Sequence, residues 1–157
     1  MSNLEELIKT VKTLRSENGC PWDREQTHES LKPELIEEAA EVLCGINIME
    51  KTGNFENFKE ELGDLLLQIV FHAQIASEEG LFDFEDVAKE VNEKMFRRHP
   101  HVFGDAHYAD SDEVLRNWDE IKKLEKVGKE SADSFLPDAF DEAEALINKA
   151  RERKGYK

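Results

Sequence analysis

The sequence predicts an all-α fold. Apolar residues recur at the three- and four-residue spacing of a helix in each long segment. No stretch sustains the alternation of a strand, and chain-breaking residues are few, with eight Gly and four Pro among 157 residues. A chain of this length suits one compact domain with a full hydrophobic core rather than two independent ones.

The elements follow in order. Residues 3–17 place Leu4, Leu7, Ile8, Val11 and Leu14 on one helical stripe, which Asn18-Gly19 ends. A turn, Cys20-Pro21-Trp22-Asp23, comes next, with Asp23 and Gln26 spaced as a capping box. The second helix is expected from about Ser30 to Met49, with Pro33 tolerated in its first turn. Asn54 or Asn57 can cap a third helix that continues to about Ser77. Asp83 can cap a fourth, Phe84 to Arg98, stopped before Pro100. Residues 99–110 read as a loop and 112–126 as a fifth helix. A polar linker, KVGKESADS, precedes a last amphipathic segment at 137–153, with Pro137 near its start and Gly155 just past its end.

Composition narrows the function classes. The net charge of −15 argues against binding a nucleic-acid polymer, which needs clustered Lys and Arg. A small phosphorylated ligand bridged by divalent cations stays compatible, because the metal brings its own positive charge. Cys20 and Cys44 lack metal-ligand spacing and read as reduced thiols of a cytoplasmic protein. The N-terminal residues lack an apolar signal core, and no run approaches the ~18 apolar residues of a membrane span.

The chemistry-bearing pattern lies on the second and third helices. At roughly 100° per residue, Leu35, Ala39, Val42, Ile46 and Met49 share one face of the second helix. Glu34, Glu37, Glu38 and Glu41 occupy the neighbouring sector, with Glu38 nearest the apolar stripe. Acidic helices of this kind are common on solvated surfaces, so the pattern alone signifies little. The third helix changes its meaning. From Leu62 to Ile75 it is apolar nearly all round, as in a central buried helix, yet Glu61, Asp64, Gln68 and His72 fall within roughly 80° of one another. Buried carboxylates acquire cations or become protonated. If the two polar strips face each other, Glu38, Glu41, Glu61 and Asp64 surround one small volume. Such an oxygen-only set suits Mg²⁺, or Mn²⁺ as a substitute. Gly63 is expected to let a neighbouring helix approach closely. His72 reads as a hydrogen-bonded core histidine rather than a ligand. The loop histidines His99, His101 and His107 lack the spacing of a zinc site.

The fourth helix carries the opposite charge. Val87, Val91, Lys94 and Arg98 share a stripe beside Phe84, which puts two long cations on the inward face. They either snorkel to water and pair with acids or reach phosphates. Arg97 falls on another face. A di-iron carboxylate bundle would need Glu-x-x-His on two helices. The sequence offers only Glu25-Gln26-Thr27-His28, beside a turn.

The runs GCPWDREQTHESLKPELIEEAAEVL, EELGDLLLQIVFHAQIASEEGLFDF and EKMFRRHPHVFGD together closely resemble the MazG family of nucleoside triphosphate pyrophosphohydrolases. The likeness covers about residues 1–125 as a single domain and leaves 126–157 as a linker and C-terminal helical tail. The family signature, EExxE followed by ExxD, stands here as Glu37-Glu38-Ala39-Ala40-Glu41 and Glu61-Leu62-Gly63-Asp64. The resemblance implies a four-helix-bundle-like all-α fold, usually dimeric, that cleaves a nucleoside triphosphate to monophosphate and pyrophosphate with Mg²⁺. It further implies metal ligation by Glu38, Glu41, Glu61 and Asp64, with Lys94 and Arg98 on the triphosphate. Trp22 and Trp118 are candidates for stacking on the base. Glu37 or Glu38 is the candidate acceptor of the attacking water's proton. Glu34 and Ala40 depart from the aromatic or apolar residues frequent in the family at those positions. The alternative is a non-catalytic acidic helical module that binds a basic or regulatory partner.

Overall fold

The computed structural model describes residues 1–129 and 133–156. Among these residues the helices with described bounds are α1 Asn3–Leu14, α2 Pro21–Glu25, α3 Lys32–Thr52, α4 Glu56–Glu78, α5 Phe84–Arg98, α6 Pro100–Phe103, α7 Ser111–Lys126 and α8 Leu136–Arg153, with no strand among the described residues. The helices gather into two compact units, one formed by Met1–Phe84 with Ala143–Lys157 and the other by Glu85–Glu142.

In the first unit, α3 and α4 pack side by side and α1 lies against α4. The core joins Val11 of α1, Leu31 ahead of α3, and Val70, Phe71 and Ile75 of α4. Leu7, Ile8, Leu66, Leu67 and Phe84 pack around it. Each fully buried side chain of this kind contributes about 1.5–3 kcal/mol. The predicted stripe of the first helix therefore does bury, through Leu7, Ile8 and Val11. The third predicted helix is central only in its C-terminal half. Gln68, Val70, Phe71, Ala73, Ile75 and Ala76 are buried there, whereas Leu62 and Ile69 remain exposed.

The local signals were partly misplaced. A capping box forms at Ser2 and Glu5, where each backbone N–H donates to the other side chain. The box expected at Asp23 and Gln26 does not form. Pro21, pre-set for the first turn of a helix, starts the one-turn α2 before Asp23, and the Gln26 amide donates instead to the Trp22 carbonyl at 2.9 Å. Pro33 does sit in the first turn of α3, and Gly53 closes that helix in the left-handed region at φ 73°. Ahead of α4, the Asn54 side chain accepts from Glu56 N–H at 3.0 Å.

Gly63 does not admit a neighbouring helix, since a Cβ built there meets nothing within 4 Å. The close approach occurs at Gly45, where a Cβ would stand 2.6 Å from Phe58 Cα. Gly45 is buried on α3, so the missing side chain that matters lies on the other helix of the pair.

In the second unit, α5 has the predicted bounds Phe84–Arg98. The segment expected as a loop, 99–110, contains the short helix α6, which Pro100 starts. The Phe96 and Phe103 rings stack with centroids 4.1 Å apart, holding α6 against the end of α5. Asp110 caps α7 by accepting from Glu113 N–H at 2.9 Å. Within the linker KVGKESADS, Glu130, Ser131 and Ala132 lie outside the described residues.

Candidate metal centre

Glu38 projects from α3, and Glu61 and Asp64 project from α4 one turn apart. One carboxylate oxygen from each of the three lies within 4.8 Å of the others. The side-by-side packing of α3 and α4 brings them together, because the two acidic strips border the same helix seam. All three residues are half-buried. Glu61 is held by Asn57, whose amide donates to Oε1 at 2.7 Å. Glu38 Oε2 is buried with no hydrogen-bond partner. Burial first, then the negative charges of Asp64, Glu41, Glu61 and Glu34, pushes the Glu38 carboxyl up to about 7. An orphaned buried oxygen among converging acids is what a cation site requires. The all-oxygen donor set fits a hard divalent ion such as Mg²⁺ or Mn²⁺.

Glu41, the fourth expected ligand, is not among the three converging acids. It accepts instead from the Lys154 ammonium just beyond α8. Glu37 is engaged by the same lysine at 2.8 Å and by Arg153. The hydrogen bond from Lys154 leads the causes that hold the Glu37 carboxyl below the usual range. Arg153 and Lys154 were not anticipated, and no local signal marks them. The contact joins residues more than a hundred positions apart. Asn57 precedes Glu61 by one turn, so its role was readable in principle from i,i+4 spacing.

Trp22 belongs to the first unit and is 62% exposed. Lys94, Arg98 and Trp118 belong to the second. Lys94 is half-buried one turn before Arg98. Arg98 donates to Glu125 at 2.7 Å and lies 5.9 Å from the Trp118 ring centroid. Trp118 meets the His99 ring edge-on at 4.9 Å. Arg97, assigned to another face, reaches the same Glu125 carboxylate. His72 is a hydrogen-bonded histidine, as read: its Nδ1 lies 2.8 Å from His28 Nδ1, with the rings stacked. Burial, then the neighbouring imidazole, lowers the His72 pKa.

Residues 26–103 match the family described as the MazG nucleotide pyrophosphohydrolase domain. The chain belongs to the MazG family. It is 54% identical over 129 residues to the nucleoside triphosphate pyrophosphohydrolase/pyrophosphatase MazG of Thermotoga maritima, covering 82% of the chain and 47% of that relative. It is 45% identical over 130 residues to the nucleoside triphosphate pyrophosphohydrolase of Escherichia coli strain K12, covering 82% and 48%. It also matches the uncharacterised Bacillus subtilis protein YabN, 47% identical over 140 residues, covering 89% of the chain and 27% of that protein. The chain thus spans about half the length of the two named pyrophosphohydrolases, and less of YabN. The MazG match takes in α3, α4 and α5, and so includes Glu38, Glu61 and Asp64.

Proposed function

We propose that this MazG-family chain is a nucleoside triphosphate pyrophosphohydrolase. In this reading it hydrolyses NTP or dNTP between the α and β phosphates, giving NMP or dNMP and pyrophosphate. The observation that carries the reading is the convergence of Glu38, Glu61 and Asp64 with one buried oxygen left unpaired. These three acids would hold Mg²⁺, with Mn²⁺ as a substitute, and Glu41 is the fourth candidate ligand. Bound there, the ion supplies Lewis-acid polarisation of phosphoryl oxygens.

The chain's own residues divide the remaining work. Asn57 fixes one oxygen of Glu61 and so orients the other. Glu37 and Glu38 are the two candidate proton acceptors; the rise of the Glu38 carboxyl to about 7 belongs to the chain without metal, since a divalent ion held there would favour its anion. Glu37 is stabilised as an anion by Lys154 and Arg153. Lys94 and Arg98 are assigned to the phosphates, where they neutralise charge growing on the leaving pyrophosphate. Arg98 then exchanges its Glu125 carboxylate partner for phosphate oxygens. Trp22 and Trp118 remain the candidates for stacking on the base. We assign the chain to a homodimer in a reducing cytoplasm, the setting that suits the free thiols Cys20 and Cys44. Among the described residues, no helix is long and apolar enough to cross a membrane.

The deciding experiment incubates a panel of NTPs and dNTPs with Mg²⁺ and separates the products. NMP with pyrophosphate is expected. Orthophosphate as the direct product refutes the assigned bond, and full activity in Glu38→Gln or Asp64→Asn refutes the assigned site.

A further inference from the structure

The carboxylate that the metal-binding pattern needs as its fourth ligand is bonded to a lysine. Glu37 and Glu41 lie one turn apart on the same face of α3. The Lys154 ammonium, placed by the last turn of α8 through its N–H bond to the Ala150 carbonyl at 2.9 Å, contacts both. Arg153, its immediate neighbour, contacts Glu37 alone.

We propose that Lys154 is the resident counter-cation of the EExxE motif, and that it must release Glu41 before that carboxylate can join Glu38, Glu61 and Asp64 around a divalent ion. The inference rests on the metal reading of the three converging acids.

Three features support the exchange. If Lys154 leaves, Glu37 keeps Arg153 and is not stranded, whereas Glu41 loses the partner that neutralises it. Glu41 and Lys154 side chains are 36% and 34% exposed, so water reaches the pair and its rupture strands no charge in an apolar interior. A cavity of about 240 Å³, bordered by Ala40, Cys44, Ile147 and Tyr156, flanks the contact and gives the lysine stem room to change rotamer with α8 in place. Lysine suits this task better than arginine, since its compact ammonium on a flexible stem has no planar fork to lock it onto one carboxylate. The C-terminal helix thereby opposes metal uptake in the empty chain and yields to it when the ion arrives.

The test uses the full chain and Mn²⁺ as the probe. Free Mn²⁺ is followed by electron paramagnetic resonance during titration of the wild-type chain and Lys154→Gln. In parallel, the wild-type chain is acetylated with an amine-reactive ester, with and without saturating Mn²⁺. Labelling at Lys154 is read by mass spectrometry against the exposed Lys149 of α8. The variant should bind Mn²⁺ about two- to fivefold more tightly, the span an exposed ion pair supports. Lys154 should label faster relative to Lys149 once Mn²⁺ is bound. The second outcome separates release of the lysine from the general effect of deleting a positive charge, and it does not depend on how the variant folds. Equal or weaker Mn²⁺ binding by Lys154→Gln, or labelling that Mn²⁺ leaves unchanged, overturns the proposal while the metal site stands. No Mn²⁺ uptake by either chain overturns both.

Discussion

At Glu38, function and stability pull in opposite directions. Its buried Oε2 has no partner, and four neighbouring acids repel it. In the metal-free chain this is a cost, because a buried carboxylate lacks compensation. Replacing Glu38 with Gln keeps the shape and removes the charge. We therefore expect Glu38→Gln to raise metal-free stability at pH 8 by roughly 1–2 kcal/mol, read as an upward shift in thermal denaturation. The same variant should lose the stabilisation that Mg²⁺ gives the wild-type chain. Asp64→Asn should lower pyrophosphate release by at least about a hundredfold, the upper range for losing even an outer-shell partner of a metal. A Glu38→Gln chain no more stable than wild type at pH 8 without metal would show that the cluster carries no repulsive strain.

Between elements, a residue that the periodicity passed over ties three helices together. Arg15 caps the end of α1, and its side chain is 6% exposed. Its guanidinium donates to Glu78 at the end of α4 at 2.7 Å, and to the carbonyls of Asp23 and Gln26 around α2. Arg15→Ala leaves those acceptors without their donor and should cost about 2 kcal/mol, measured by denaturant unfolding. The hydrogen bonds from Arg15 are the main cause that lowers the Glu78 carboxyl below its ordinary 4.5. Since the folded value is depressed, this contribution is fully present above pH 4.5 and is lost as pH falls through the folded value. Arg15→Ala should accordingly flatten the acid limb of the stability profile. The glycines give a paired prediction for the α3–α4 seam. Gly45→Ala drives a Cβ toward the Phe58 backbone and should destabilise by about 1–3 kcal/mol, despite alanine's better helix propensity. Gly63→Ala meets nothing within 4 Å and should stabilise by about 0.5–1 kcal/mol.

For the whole molecule, the proposed homodimer has candidate contact residues among the exposed apolar side chains of α3 and α4. Leu43, Leu62 and Ile69 are 63%, 45% and 40% exposed on the two helices that carry the acids. Large apolar residues left open in this way are characteristic of interaction surfaces. A dimer at micromolar concentration is expected by sedimentation, and Leu62→Glu with Ile69→Glu should shift it to monomer. The non-catalytic alternative, favoured by the net charge of −15, separates from the enzyme at this scale too. Nucleotide with Mg²⁺ at ~100 times its dissociation constant should stabilise a binding enzyme by roughly 2.7 kcal/mol. An acidic module for a basic partner would show no such shift.

The helical class, the bounds of α5 and the acids of the ExxD turn were legible because they depend on residues within one or two turns of each other. Glu61 and Asp64 stood out from the sequence by being ionisable on an otherwise apolar helix, and that contrast needs no coordinates. The start of α2 and the short α6 were missed because a proline at the first helical position outweighed the turn signals around it. Which glycine lets α3 and α4 meet, and which cation sits on Glu37 and Glu41, only the tertiary structure decided. Gly63 and Gly45 look alike in sequence, and Lys154 looks like any surface lysine. Periodicity fixes the face on which a residue lies, but the partner helix opposite that face is selected by packing between segments far apart along the chain.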